Sequence, residues 1–154
     1  MSKHKAQRLN LLARLAALKT QSNLAHLQIR QQLLQKQQSA YLQLQSYQDE
    51  YLAKPPLDLA SQLPVNVTTL QNNSRFMSDL HYAVGVQQQQ LDVANQEASE
   101  SRSAWSRSYA KEQRWRELEQ LARHYQSLIQ DKKQDQENLD IWSAGYSKKI
   151  DNKL

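Results

Sequence analysis

The side chains that could do chemistry are few in this chain and poorly spaced for it. Two isolated glycines cannot form a phosphate-binding loop, and there is no cysteine to act as a nucleophile or metal ligand. The neighbouring carboxylates Asp49 and Glu50 would point in different directions on a helix, which argues against an acid–base pair. Four histidines lack the spacing of a metal site: His4, His26, His81 and His124. We therefore predict no catalytic residue, metal, cofactor or small-molecule substrate.

A second group of residues interleaves basic and aromatic side chains over positions 102–116, RSAWSRSYAKEQRWR. Three interpretations fit this pattern. Trp105 and Trp115 could fill a helix–helix seam while the arginines coat the solvated face. The segment could instead make a basic contact with a protein, or contact phosphates and stack on bases. No base-reading fold accompanies the segment, so nucleic acid is the weakest of the three.

A third group of apolar and aromatic side chains flanks a proline-rich stretch. Its members recur at helical spacing on both sides of that stretch: Leu44, Tyr47 and Tyr51 before it, Phe76, Leu80 and Ala83 after it. Either they thicken a core near a turn, or they form an aromatic docking patch, since aromatic residues are enriched in such patches.

The positions of the prolines indicate which helices would carry these groups. Pro55, Pro56 and Pro64 cluster in one stretch, and proline ends helices. The sequence predicts an all-α fold, an antiparallel coiled-coil hairpin of two long helices with the second longer, in a single domain over 1–154. Helix one would cover about 2–53, the connection 54–67 and helix two 68–143, and the order of the remaining tail is left open.

Composition agrees with a thin seam rather than a thick core. Of the 154 residues, 39% are hydrophobic, whereas a globular domain has roughly 45–50%. The absence of cysteine fits a reducing compartment, and neither a signal peptide nor a membrane span is expected. The net charge of +5 is concentrated before the prolines, where residues 1–54 carry eight basic and two acidic side chains. Acidic groups of helix two, such as Glu117, Glu119 and Asp131, could face this basic helix.

Heptad spacing predicts which residues form the seam. In helix one these are Leu27, Leu34, Tyr41, Leu44 and Tyr51, with Gln37 and Gln48 as polar members. Upstream, Leu11, Leu15 and Leu18 form a separate leucine stripe. In helix two one frame runs from Met77 to Trp105. A second frame from Trp115 includes Leu118, Tyr125 and Ile129, so that a stammer separates the two. Lys3 would lie opposite about Arg116, leaving later residues unpaired.

Three stretches of the chain resemble the FliJ family of flagellar export proteins. They are QSYQDEY at 45–51, RFMSDLHYAV at 75–84 and SAWSRSYAKEQRWRELEQLA at 103–122. The chain is also similar to the family in its length, its basic helical amino terminus and its single break after helix one. The connection PPLDLASQLPV departs from the family in detail.

The resemblance implies a non-enzymatic component of the flagellar type III export apparatus, with an antiparallel two-helix fold similar to the stalk of rotary ATPases. It implies a cytoplasmic protein at the inner face of the inner membrane. The end with the two termini would sit in the hexameric export ATPase, and the region near the turn would reach the cytoplasmic domain of the export gate and bind some export chaperones. The implied gate contacts are Leu44, Tyr47, Tyr51, Phe76, Leu80 and Ala83.

Contacts with the ATPase ring are assigned from position and residue type alone. The hydrophobic candidates are Leu11, Leu15, Leu18, Tyr125 and Ile129, and the charged candidates are Arg8, Arg14, Arg116 and Arg123. Two alternatives stay open at this point: a stalk protein of a virulence-type secretion system, and a basic coiled-coil protein that binds nucleic acid through residues 102–116.

Overall fold

The fold consists of two long α-helices. A computed structural model describes residues 2–53 and 67–153, with side chains from residue 4 onward. Helix α1 spans Ser2–Ala53 and helix α2 spans Val67–Asp151, so the second is longer. The fold class, a two-helix all-α hairpin, is confirmed. Most of the proline-rich connection predicted at 54–67 lies outside the described residues.

Helix α2 continues further than the sequence pattern predicted. It ends at Asp151 rather than near residue 143. Gly145 lies inside the helix. Helices often end at a glycine with a positive φ, and no described glycine has one. Lys148 and Lys149 in the last turn favour the helix, since cations are stabilised at its negative carboxyl end.

The chain divides into two compact units, and each helix contributes to both. The terminal unit comprises Met1–Gln21 and Arg107–Leu154, and the central unit comprises Ser22–Ser106. The interpretation of residues 1–154 as a single coiled-coil domain stays a prediction.

In the central unit the two helices run antiparallel. The hydrogen bonds between them join rising numbers in α1 to falling numbers in α2. Asn23 donates to the Ala104 carbonyl at 3.5 Å, and Arg30 contacts Glu97 at 2.5 Å. Further along, Gln87 donates to the Gln37 carbonyl at 3.3 Å, and the Tyr51 hydroxyl donates to Asn73 Oδ1 at 3.3 Å.

The predicted seam of the central unit is confirmed by burial. Leu27, Leu80 and Ala98 are buried, and the other members on both helices are half-buried. Gln37 and Gln48 lie in the seam as expected. Across the seam, Gln87 Nε2 donates to both the backbone carbonyl and the side-chain Oε1 of Gln37. A polar layer of this kind helps to fix the register of two helices at some cost in stability.

The burial of Ala98 in this seam allows a prediction about the stability of the protein. Ala98 is 2% exposed, so a larger side chain there must push the helices apart. We expect Ala98→Leu to lower the free energy of unfolding by about 1–3 kcal/mol. Ala25 is exposed on α1 of the same unit, and Ala25→Leu should change it by less than about 0.5 kcal/mol. Thermal melts followed by circular dichroism check this, and equal melting of the two variants would contradict it.

In the terminal unit the seam contains residues that the heptad pattern did not predict. Its buried residues are Ala6, Ala13 and Thr20 on α1, and Ser108 and Glu112 on α2. Leu11, Leu15 and Leu18, which were predicted as a separate stripe and as candidates for ring contact, are exposed. Small side chains let two helix backbones approach closely, so alanine can line the seam while leucine remains outside it.

The stammer predicted after Glu112 is not found. Inward positions on α2 continue through Trp115 and Glu119 to Ala122 and Gln126, with the alternating steps of three and four residues kept. The prediction set the frame on Leu118, an apolar residue three positions after Trp115, rather than on its neighbour Glu119. The Glu119 side chain is nevertheless only 13% exposed.

The register also differs from the prediction. Asn10 donates to Glu119 Oε1 at 2.9 Å, so α1 pairs with α2 beyond Arg116. The predicted register was obtained by counting residues along each helix from its end at the connection. In the central unit Tyr51, near the end of α1, contacts Asn73 and Phe76, which lie several residues after the start of α2. In the terminal unit, residues 127–151 of α2 are exposed throughout.

Candidate partner-binding surfaces

The central unit carries a groove lined by aromatic side chains, which we call the aromatic groove. Tyr47, Glu50, Tyr51, Phe76 and Leu80 line a volume of about 480 Å³. The rings of Tyr51 and Phe76 lie 4.8 Å apart between centroids, at an angle of 45°. This contact between the two helices holds the groove's walls together, because tilted aromatic pairs are favourable at such distances.

Four of the six residues predicted for the gate surface line this groove. Leu44 and Ala83 do not line it; they are half-buried one turn away from Tyr47 and Leu80 respectively. Sequence reasoning missed Glu50, which had been considered only as half of a carboxylate pair. Its position three residues after Tyr47, on the same helix face, was the available signal.

The aromatic rings at the edge of the groove are partly exposed to solvent, and contacts with neighbouring residues restrict their movement. Tyr47 and Phe76 are about half exposed, while Leu80 is buried beneath them. Gln43 donates to the Tyr47 hydroxyl at 3.2 Å, and the Tyr51 hydroxyl is bound by Asn73. Exposed aromatic rings with limited freedom can bury large areas against a partner at low entropic cost.

The terminal unit carries an exposed leucine face on α1, formed by Leu11, Leu15 and Leu18. Each of these side chains is more than half exposed. Since Ala6 and Ala13 mark the buried side of the helix, the leucines lie on the side turned away from α2. These leucines contribute little to the seam, and contiguous exposed apolar stripes are common at interaction surfaces.

A basic groove, the arginine groove, lies between the helices of the terminal unit. Arg14, Arg116 and Arg123 line a volume of about 420 Å³ together with Asn10 and Glu119. Arg116 is paired with Glu112 at 2.6 Å and Arg123 with Glu119 at 2.7 Å. The structure therefore brings together three of the four arginines predicted for ring contact.

The remaining ring candidates lie elsewhere in the terminal unit. Arg8 is exposed and does not line the arginine groove. Tyr125 lines a separate, largely apolar groove of about 590 Å³ with Leu9, Leu118 and Leu121. Ile129 is exposed beyond that groove. Of the acidic residues expected to face α1, Glu119 does so through Asn10, while Glu117 and Asp131 are exposed.

The basic and aromatic segment at 102–116 matches its first interpretation. Trp105 in the central unit and Trp115 in the terminal unit are both half-buried at seam positions, and Arg102, Arg107 and Arg114 are exposed. The two indole rings therefore contribute to helix packing rather than forming an open stacking surface.

The described residues, 2–53 and 67–153, were also considered as a possible metal site or membrane span. No cluster of three or more histidine, aspartate or glutamate side chains is arranged to hold a metal ion there. Neither helix has a stretch in that part of the chain that is long and apolar enough to cross a membrane.

Comparison with known proteins settles the family. A model of the flagellar FliJ protein family matches residues 4–144. The chain belongs to the FliJ family. The match covers all three resembling stretches, so the FliJ assignment extends across both units and both sides of the connection. Comparisons with curated proteins and with solved structures gave no match. FliJ proteins are structural components of flagellar protein export.

Proposed function

We propose that this FliJ-family chain is a non-enzymatic coupling component of the flagellar type III export apparatus. The terminal unit docks in the ring of the hexameric export ATPase. The aromatic groove of the central unit binds the cytoplasmic domain of the export gate, and this unit also receives export chaperones. The protein acts in the cytoplasm, at the inner face of the inner membrane.

One observation carries the proposal: each unit exposes apolar side chains to solvent beside or outside its own seam. In the central unit these are the half-exposed rings of Tyr47 and Phe76. In the terminal unit they are those of the exposed leucine face, with the arginine groove beside the seam. A protein with two such surfaces can hold two partners at the same time, which is what coupling an ATPase to a gate requires.

The other candidate functions have less support. The family match is to a flagellar protein, which disfavours a virulence-type stalk. Binding of nucleic acid through residues 102–116 would need several displayed aromatic rings, whereas both tryptophans of that segment are half-buried and Tyr109 alone among its aromatic residues is exposed.

The proposal is tested by mixing the purified chain with its cognate flagellar export ATPase and the soluble gate domain. We expect one complex containing all three proteins on size-exclusion chromatography, because the two surfaces involve different residues. Omitting either partner should leave the other bound. Mutually exclusive binding of the two partners would contradict the proposal, as would failure of the chain to bind either.

A further inference from the structure

Two glutamates occupy the seam of the terminal unit, where apolar residues would pack better. The side chains of Glu112 and Glu119 are 9% and 13% exposed and lie one heptad apart. Burying a carboxylate is costly unless it is paired and hydrogen-bonded. Both are paired with an arginine four residues later, and Glu119 also accepts a hydrogen bond from Asn10. A role beyond packing would explain why carboxylates stand there.

The effect of these carboxylates is to hold two arginines at the edge of the seam. Arg116 and Arg123 are each bound by one Nη2 atom, and their side chains remain 53% and 64% exposed. A guanidinium has five donors, so most of them stay available to a partner. The two arginines recur at a spacing of about 10 Å along α2, which is seven residues at 1.5 Å each. Arg14 of α1 lines the same groove.

We propose that Glu112 and Glu119 are positioning residues, which present Arg116 and Arg123, together with Arg14, to carboxylates on the ring of the export ATPase. This inference rests on the proposed docking of the terminal unit. The partner surface should carry acidic side chains repeating at about 10 Å along one edge, because planar guanidinium forks bind carboxylates bidentately.

Charge and lining favour an acidic protein surface over other anionic partners. Residues 4–21 and 107–126 contain nine lysines and arginines against three glutamates, and two of those glutamates are in the seam. The arginine groove is lined by alanines and polar side chains, without a large apolar or aromatic residue. Single-stranded nucleic acid would need aromatic rings to stack on, which the arginine groove does not have.

The test uses a variant for which net charge and arginine positioning predict opposite changes in ATPase binding. The double variant Glu112→Gln, Glu119→Gln raises the net charge by two, so simple attraction predicts tighter binding to an acidic ATPase. Loss of the ordered arginines predicts binding about tenfold weaker, because each freed side chain must be ordered again on association. Glu117→Gln removes one exposed negative charge from the same helix. It should bind as well as the unchanged chain or slightly better.

A second variant separates positioning from a purely structural role. Arg116→Lys with Arg123→Lys keeps the charge and the seam glutamates but removes the forks. We expect weaker ATPase binding with unchanged melting, and this variant decides the matter if the glutamine variant fails to fold. Wild-type binding by both double variants would overturn the inference and leave the docking proposal intact. Binding of the unchanged chain to phosphatidylglycerol vesicles or to a single-stranded oligonucleotide, without any to the ATPase, would overturn both.

Discussion

Replacing Phe76 by alanine is expected to weaken binding of the gate's cytoplasmic domain by about 2 kcal/mol, roughly a 30-fold rise in Kd. The ring is half exposed, and it forms a wall of the aromatic groove through its contact with Tyr51. Its removal takes away both the area offered to a partner and the support for the neighbouring ring. Isothermal titration of the full chain against the gate domain measures the change.

Tyr82 provides the matched control for Phe76. It belongs to the same unit, is 75% exposed and does not line the aromatic groove. Tyr82→Ala should therefore leave gate binding unchanged. Tyr47→Ala should behave like Phe76→Ala, with less effect on melting, because its hydroxyl is held within its own helix by Gln43. Equal losses for Tyr82 and Phe76, or no loss for either groove residue, would show that the aromatic groove is not the gate surface.

The second large effect is expected at the exposed leucine face of the terminal unit. Changing Leu11, Leu15 and Leu18 together to glutamine should weaken ATPase binding about 100-fold, on the basis of about 1 kcal/mol of lost burial for each leucine. Folding should be retained, because the three side chains are outside the seam and glutamine is a good helix former. Binding is measured by sedimentation with the ATPase hexamer, and folding by circular dichroism.

Leu42 and Leu52 give the control for this change. They are 62% and 63% exposed on α1 of the central unit, comparable to the leucines of the terminal unit. Leu42→Gln with Leu52→Gln should leave ATPase binding intact. If both sets of substitutions weaken binding equally, the effect reflects general surface polarity and the leucine face is not a specific contact.

The central unit was predictable from sequence because its heptads are regular. Leu27, Leu34 and Tyr41 recur every seven residues, and the frame from Met77 to Trp105 holds without interruption. The cluster of prolines predicted where helix one ends and helix two begins at the connection. The aromatic groove was also within reach, since Tyr47 and Phe76 lie beside seam positions. Glu50 was missed because charged residues carry no signal in a search for apolar patches.

The terminal unit was predicted less well because it reverses the usual pattern. Leucines are expected inside and glutamates outside, whereas here Leu11 and Leu15 are exposed while Glu112 is buried. Alanine carries too weak a hydrophobic signal to mark a seam by spacing alone. Glu112 is tolerated in the seam because Arg116 pairs with it, and such a partner can be recognised only once the frame is known. The same reversal explains why the unit has apolar surface to offer a partner.

The most direct test of the coupling proposal is ATP hydrolysis by the purified cognate export ATPase, titrated with this chain. The account predicts saturable stimulation that levels off near one chain per hexamer, as expected for a central stalk that docks singly in each ring. The leucine-face variant should fail to stimulate at the same concentrations, while the Leu42 and Leu52 control stimulates normally. An unchanged hydrolysis rate across the whole titration, with no association between the chain and the ring, would contradict the central claim.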